Sequence, residues 1–304
     1  MTVVLSRSHI DTLVDVDEVI ETLREGFRCA TEAQVPLRIR TDLPGPGTAT
    51  CLMPGLLPGV AAYTVKVNAK FPNASPALRG VVCLHDLQSG ELLALADSAA
   101  VTSWRTGLAA ALGTHVLADP NADTLGFVGA GAQAHKTLAG LHRLRRWRRI
   151  IACDLDAARA AELTPNVAAD ARAVAAEADV VVLATWSRTP LLHARDVRSG
   201  QHLTTLGADE PGKVELSGDL LRNARVVVDD IRLATSTGAL GGTQLDAAAG
   251  TLGDVLRGDL PVDGSHDRPS IYAPVGLPWP DLALTWLVYQ RATTADVTVI
   301  DLLT

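Results

Sequence analysis

The stretch TLGFVGAGAQAHKTLAGLHRL, residues 124–144, decides the fold class of this 304-residue chain. It runs from a short apolar segment through the turn Gly129–Ala134, which has the pattern GxGxxA, into a segment with helical spacing. In a strand–turn–helix, the first glycine permits a tight turn, the second lets the backbone approach a pyrophosphate, and the small last residue allows close helix–strand packing. Free N–H groups at the helix N-terminus favour phosphate. The stretch therefore predicts a dinucleotide site.

The next apolar segment, RIIACD, ends in Asp154, which lies about 20 residues beyond the turn and can accept hydrogen bonds from ribose hydroxyls. A carboxylate there repels a 2′-phosphate, so the sequence predicts NAD rather than NADP. Two alternatives remain: a rearranged loop that binds phosphate through Arg159, and a glycine turn with Asp154 as a mere helix cap. The residues predicted to bind the cofactor are Gly129, Gly131, Ala132, Gln133, Asp154 and Thr185, the last of which ends the apolar segment VVVLAT.

Two patterns of hydrophobicity divide the chain. From 118 to 277, short apolar segments alternate with helical ones, which predicts a Rossmann-type, doubly wound parallel sheet. Residues 36–100 carry β-favouring segments between Pro, Gly and Asn clusters, which predicts one sheet of antiparallel strands, and 10–33 predicts one amphipathic helix. We therefore predict an α/β chain in which 118–277 form a Rossmann domain and 1–117 form a smaller α+β domain, to which 278–304 return.

Composition excludes several classes of partner. The net charge is −7 with mixed signs along the chain, so nucleic acid is not expected to bind. The run HRLRRWRRI at 142–150 is the exception, and it is typical of a solvated helix end, where cations suit the dipole. The four cysteines form no CxxC pair, which predicts reduced core residues and no metal site. Without a signal-peptide pattern or a bilayer-length apolar run, we expect a cytoplasmic protein with no membrane partner.

Candidate substrate residues are cations of the first domain. Arg38 and Arg40 follow a proline, Lys66 lies in the segment YTVKVNAK, and Arg105 begins a helix. Arginine forks bind carboxylates through two parallel hydrogen bonds, whereas lysine is a point charge whose pKa shifts when desolvated. Arg105 stands out because Trp104 and a run of alanines would bury its stem. Taken alone, each cation is more often a solvated surface charge.

Asp209 is the candidate acid or base. It follows a predicted Rossmann strand within TLGADEPGKVEL, and the ligand crevice of an open α/β sheet lies outside the carboxyl ends of its strands. A carboxylate at that edge can exchange a proton with a bound substrate. The alternative is that Asp209 only caps the turn before Pro211-Gly212.

Several separated motifs along the chain can be read together. They are RTGLAAALG at 105–113, GAGAQA at 129–134, GADEPGKVEL at 207–216, LGDVLRGDLP at 252–261, VGLPWPDLALTWLVYQRA at 275–292, Met53-Pro54 and Lys66–Asn68. With these motifs the chain resembles the ornithine cyclodeaminase/μ-crystallin family. The resemblance implies a homodimer, with an N-terminal domain that binds substrate and dimerises through its sheet, and a Rossmann domain for NAD(P). It also implies that Arg38, Lys66 and Arg105 hold the substrate carboxylate and that Asp209 is the acid or base. Lys66 is the second candidate for the proton, because Arg38 and Arg105 nearby would lower its pKa.

Two departures from the family pattern limit what the resemblance implies. Ala273-Pro274 replaces the usual Asp-Ser, and the stretch STGAL at 236–240 lacks an acidic residue often found there. We therefore predict an NAD(H)-dependent enzyme that oxidises a small L-amino acid or reduces its imine. An ornithine- or lysine-type cyclodeaminase that recycles NAD internally, and a non-catalytic, crystallin-like NAD(P)-binding protein, are the alternatives.

Overall fold

The computed structural model describes residues 1–30, 38–241, 248–262, 266–292 and 297–302. Its strands are β1 (Thr2–Leu5), β2 (Ile39–Asp42), β3 (Ala49–Gly55), β4 (Ala62–Lys70), β5 (Leu78–Asp86), β6 (Leu92–Asp97), β7 (Thr124–Val128), β8 (Arg149–Cys153), β9 (Val180–Leu183), β10 (His202–Thr205), β11 (Arg225–Val228), β12 (Gly250–Thr251), β13 (Ser270–Tyr272) and β14 (Thr298–Ile300). Its α-helices are α1 (Arg7–Leu13), α2 (Val16–Cys29), α3 (Ser98–Leu117), α4 (Ala132–Leu144), α5 (Ala157–Leu163), α6 (Ala171–Glu177), α7 (Gly218–Arg222), α8 (Ile231–Ser236), α9 (Leu252–Arg257) and α10 (Trp279–Ala292).

The chain forms two compact units, Met1–Thr106 with Leu277–Thr304, and Gly107–Gly276. The expected boundary lay after residue 117, whereas the contacts place it inside α3. The second half of α3 belongs to the second unit because Ala110 and Ala111 pack in one apolar cluster with β7. At Gly107, a Cβ atom would lie 2.5 Å from the Cβ of Lys136, so α3 and α4 approach too closely for any side chain.

The first unit is built on one sheet with the strand order β14-β1-β6-β5-β4-β3-β2. The strands from β2 to β6 form the expected antiparallel meander, while β1 pairs in parallel with β6. One face of this sheet is covered by α10, which contacts β3, β4 and β5 and also packs against α2. Burial along β4 alternates accordingly, and the positions that face inward include Lys66.

The amphipathic segment 10–33 was expected to be one helix, and that expectation is wrong for its described residues. The chain forms α1 and α2 instead, because Asp15 interrupts the helix and caps the second one. Its Oδ1 accepts hydrogen bonds from the backbone N–H groups of Asp17 and Glu18. The last predicted positions, 31–33, lie outside the described residues.

The second unit contains a parallel sheet with the strand order β12-β11-β13-β10-β9-β7-β8. All residues of β9 are buried, as expected for a parallel strand covered on both faces. The Rossmann-type fold class is thereby confirmed. Strand β13 was not foreseen from the sequence, since its three residues between two prolines are too few to show an alternation of apolar and polar positions.

Across the described ranges, no helix has both the length and the apolar character needed to cross a membrane.

Candidate functional site

The glycine turn has the geometry expected for a dinucleotide. Gly129 has φ +88°, and a Cβ there would lie 2.6 Å from the carbonyl oxygen of Ala184, so glycine is required on both counts. Gly131 begins α4 without a side-chain cap, and a Cβ built on it would meet no atom within 4 Å. The space beside Gly131 at the start of α4 is therefore open, as the approach of a pyrophosphate requires.

Asp154 follows β8 and is tied to this turn. Its Oδ2 accepts a hydrogen bond from the Ala130 N–H at 2.7 Å, and its Oδ1 accepts one from the Asp156 N–H at 2.9 Å. Each carboxylate oxygen keeps a lone pair for a ribose hydroxyl. Arg159 lies near Asp156, at 3.8 Å. The buried Oε1 of Gln133 has no hydrogen-bond partner in the described part of the chain, so it too is suited to a ligand. These residues fit NAD.

Thr185 is fixed by a buried carboxylate that the sequence analysis did not single out. Glu215 Oε1 accepts hydrogen bonds from the N–H and the hydroxyl of Thr185 at 2.6 and 2.7 Å. Its Oε2 accepts hydrogen bonds from the Thr205 hydroxyl and the Gly207 N–H at 2.7 and 2.8 Å. Burial raises the pKa of Glu215 although these hydrogen bonds oppose the change. Glu215 thus ties together the loops that follow β9 and β10.

Asp209 lies two residues beyond Gly207, in the loop after β10, as expected. Its Oδ1 accepts a hydrogen bond from Lys213 Nζ at 2.6 Å. Lys213 also lies 3.7 Å from the carboxylate of Glu210 and 5.3 Å from the centre of the Trp186 ring. The loop therefore holds its carboxylates around one cation, and the direction of the Asp209 carboxylate is set by that ion pair.

The first unit contains a buried cluster of three charges. Lys66 Nζ donates a hydrogen bond to Asp281 Oδ2 at 2.5 Å, and Arg105 Nε donates one to Asp281 Oδ1 at 3.0 Å. The side chains of Lys66 and Asp281 are 1% exposed, and that of Arg105 is 8% exposed. The valines of β4 lie on the opposite face of the strand from Lys66, and that face is the more exposed one.

The charge of this cluster is unbalanced, since two cations share one carboxylate. Burial and the charges of Arg105 and Arg38 lower the pKa of Lys66 while Asp281 raises it, and the net pKa is about 8. Burying a charge without a partner is costly, so the cluster is suited to a second anion. Within the described residues, Arg105 donates from Nε, which leaves its two terminal nitrogens for a carboxylate.

The other cations considered from the sequence have different surroundings. Arg38 is half-buried and acts electrostatically on Lys66. Arg40 instead donates to Asp42 at the surface, through Nε at 3.0 Å and Nη2 at 2.8 Å. Proline 36, which precedes both arginines, lies outside the described residues. Arg38 therefore remains a candidate ligand and Arg40 is a surface charge.

In the arginine-rich run at 142–150, side chains are engaged within the second unit. Arg145 donates to the carbonyl oxygens of Asp119 and His115, and Arg148 donates to the Asp123 carboxylate. Arg149 pairs with Glu177 at 2.7 Å. These partners agree with a charged helix end.

We had expected all four cysteines to lie in the core, and that expectation is wrong. Cys153 is buried, Cys51 and Cys83 are half-buried, and Cys29 is exposed, because it ends α2 on the outer side of its last turn. All four are free thiols. Among the residues with described positions, no cluster of His, Cys, Asp or Glu is arranged to hold a metal ion.

Two buried carboxylates of the candidate site escaped the sequence analysis. Asp281 is separated from Lys66 by 215 positions, and the available signal was a single carboxylate at the start of the apolar helix PWPDLALTWL. Glu215 lies inside a motif that had been recognised, but its burial was not visible in that motif. A lone charge in an otherwise apolar segment is therefore the signal to look for.

Together, these observations define an α/β protein with a Rossmann unit shaped for a dinucleotide and an α+β unit with a buried cluster that attracts an anion. The model of the ornithine cyclodeaminase/mu-crystallin family matches residues 1–296. The chain belongs to this family, which confirms the resemblance found in its motifs.

Known relatives match this chain over nearly its whole length or over about half of it. Alanine dehydrogenase of Archaeoglobus fulgidus is 30% identical over 317 residues, which cover 97% of each protein. L-lysine cyclodeaminase of Streptomyces rapamycinicus is 37% identical over 165 residues, which cover 51% of this chain and 48% of that enzyme. The solved structure of an archaeal alanine dehydrogenase dimer with bound NAD is 27% identical, covers 99% of both chains and gives a TM-score of 0.91.

Proposed function

We propose that this chain transfers a hydride between NAD and the α-carbon of a small L-amino acid or the corresponding imine. The observation that carries the proposal is the buried cluster of Lys66, Arg105 and Asp281, whose excess positive charge fits a substrate carboxylate. The chain is an NAD-dependent enzyme of the kind formed by amino-acid dehydrogenases, imine reductases and cyclodeaminases. The glycine turn and Asp154 are the features of this chain that suit NAD.

In this proposal, Arg38, Lys66 and Arg105 bind the substrate carboxylate, and Asp209 exchanges the proton. When bound, NAD supplies the nicotinamide that accepts or returns the hydride. During oxidation the hydride leaves the α-carbon, the amine gives a proton to Asp209, and an imine forms. Water then adds to the imine, and ammonia leaves to give a 2-oxo acid. Lys66 is the alternative proton carrier because a pKa of about 8 allows exchange near neutral pH.

A cyclodeaminase is the second candidate function, and the similarity to the lysine cyclodeaminase favours it. Its reaction begins with the same hydride transfer. The terminal amine of the substrate then attacks the imine, ammonia leaves, and the hydride returns to the carbon. The cations and Asp209 would have the same roles in both reactions.

We propose a homodimer formed through the sheet of the first unit. Exposed apolar side chains at Ile39, Leu52, Val67 and Val81 are direct cross-strand neighbours on β2, β3, β4 and β5. A continuous apolar row of this kind is typical of a surface that is covered in an assembly. The archaeal alanine dehydrogenase of the comparison is a dimer.

A product-resolved screen tests the proposed function. The protein is mixed with NAD and a panel of L-amino acids, and separately with NADH and a panel of imines or of 2-oxo acids with ammonia. NADH, ammonia and cyclic products are followed together. A dehydrogenase or imine reductase changes NADH in step with substrate, whereas a cyclodeaminase releases ammonia and a cyclic amino acid without net NADH. Tight NAD binding without any turnover contradicts the proposal and favours a crystallin-like protein.

The Asp154→Ser variant is expected to lose much of its preference for NADH over NADPH. Serine removes the charge that repels a 2′-phosphate and weakens the contact with the ribose hydroxyls. Calorimetry with both reduced cofactors measures the ratio of dissociation constants. Asp156→Ser is the matched control because Asp156 caps α5 two residues away. Tighter NADPH binding by the unmodified protein would show the assignment of Asp154 to be wrong.

A further inference from the structure

Asp281 is the shared anion of the buried charge cluster. It lies in the first turn of α10, and each of its two carboxylate oxygens accepts a hydrogen bond from a different cation. Lys66 comes from β4 and Arg105 from α3, so the carboxylate joins side chains of three elements. A helix start also donates its backbone N–H groups toward an anion, which favours a carboxylate at this position.

We propose that Asp281 is a positioning residue, which fixes the spacing of Lys66 and Arg105 and maintains the charge of Lys66 for binding a substrate carboxylate. This inference rests on the proposed function, in which both cations bind that carboxylate. Because each cation donates to its own oxygen of Asp281, neither can turn without losing a hydrogen bond. The arrangement holds a point charge beside an arginine fork whose terminal nitrogens remain for the substrate.

The electrostatics of Lys66 depend on very few groups. The charged groups that act on it are Asp281, Arg105 and Arg38, while its cross-strand neighbours Met53 and Val82 are apolar. Burial and the two arginines favour the neutral amine, and the Asp281 charge opposes them. Without Asp281, three cations would share the site with no anion. Lys66 would then release its proton at a lower pH and could no longer attract a carboxylate.

The charge of Lys66 can be measured directly by NMR. The chain contains four lysines, Lys66, Lys70, Lys136 and Lys213, so the spectrum of protein labelled with 13C at the lysine ε-carbon is simple. Loss of one signal in Lys66→Met assigns it. The unmodified protein should titrate at Lys66 near pH 8. In Asp281→Asn, the midpoint should fall by at least about one pH unit, because an ionised partner within hydrogen-bond distance is lost.

Thr285→Val is the matched control for the titration of Lys66 in Asp281→Asn. Thr285 lies one turn further along α10 and is 1% exposed, and its hydroxyl has no hydrogen-bond partner within the described residues. This change removes a buried hydroxyl from the same helix and replaces it with a methyl group, without altering the charge of the helix. We expect the Lys66 midpoint to stay at the parental value. An equal decrease in Thr285→Val and Asp281→Asn would assign the effect to helix packing and overturn the proposal.

If Asp281→Asn does not fold, the double variant Asp281→Asn/Arg105→Gln replaces it, since one cation is removed together with the anion. The midpoint of Lys66 should still fall, because Asp281 acts on Lys66 more strongly than Arg105 does. An unchanged Lys66 midpoint in the variant that folds shows the role of Asp281 to be wrong, whatever the activity. If the midpoint falls but the unmodified protein turns over no amino acid or imine, the proposed function fails and the action of Asp281 on Lys66 stands.

Steady-state kinetics at several pH values distinguish a positioning role of Asp281 from a merely structural one. With an amino acid that the unmodified enzyme oxidises, kcat/KM should decline as pH rises through the Lys66 pKa, because the carboxylate binds the protonated amine. In Asp281→Asn, this decline should begin at lower pH, and KM should rise more than kcat falls. A uniform loss at every pH, with KM unchanged, would contradict the proposal.

Discussion

Asp209→Asn is expected to reduce kcat by about 10²–10⁴-fold while NAD binding stays close to that of the parent. Asparagine keeps the shape of the side chain and can still accept a hydrogen bond from Lys213, but it cannot take up the proton that leaves the amine. The loss should therefore appear in the chemical step rather than in substrate binding. Single-turnover measurements of NADH formation, with calorimetry for NAD, separate the two effects.

Glu210→Gln is the matched control for Asp209→Asn. Glu210 is the next residue in the same loop, and its carboxylate also lies near Lys213. If the ion pairs only shape the loop, the two amides should have similar effects. If Asp209 carries the proton, Glu210→Gln should keep kcat within a few-fold of the parent.

Lys66 is the competing proton carrier, and its two possible roles have different pH signatures. As a carboxylate ligand, Lys66 should cause a decline in kcat/KM near pH 8 that is absent from kcat at saturating substrate. As the acid or base, it should affect kcat as well. Normal turnover by Asp209→Asn together with an inactive Lys66→Met would assign the proton to Lys66.

Much of the Rossmann unit could be predicted from local sequence. The turn, the helix that follows it and Asp154 depend on neighbouring residues and on the position where the next strand ends, so their spacing is visible without tertiary information. The first unit was harder to predict from the sequence, because its helix boundaries depend on single capping residues such as Asp15. The domain boundary within α3 also depends on which core each half of the helix joins.

The candidate site depends even more on contacts that local sequence does not reveal. Lys66 and Arg105 were singled out because one lies in the segment YTVKVNAK and the other lies beside Trp104 and a run of alanines. Their common partner, Asp281, comes from the other end of the chain, and a contact over 215 positions leaves no local pattern. The sequence therefore indicated the cations but not the anion to which both of them donate.

Arg105→Ala is expected to reduce kcat/KM for the amino acid by about 30- to several-thousand-fold. Removing one partner of a buried, hydrogen-bonded charge pair typically costs about 2–5 kcal/mol. The substrate carboxylate would lose the arginine fork, while Lys66 and Asp281 would remain as a balanced pair, so the core need not retain an unpaired charge. NAD affinity should stay near the parental value, because the glycine turn and Asp154 belong to the second unit.

The pH dependence of kcat/KM tests whether the effect of Arg105→Ala arises from the buried charge cluster. The Arg105 charge lowers the pKa of Lys66, so its removal should raise that pKa and move the decline of kcat/KM to higher pH, opposite to the change expected for Asp281→Asn. Arg105→Lys, which keeps the charge without the fork, should be intermediate in affinity and leave the profile nearly unmoved. Arg24→Ala is the control, since Arg24 pairs with Glu21 on α2, away from the cluster. If Arg105→Ala keeps kcat and KM within a few-fold of the parent, Arg105 is a structural cation and the carboxylate binds elsewhere.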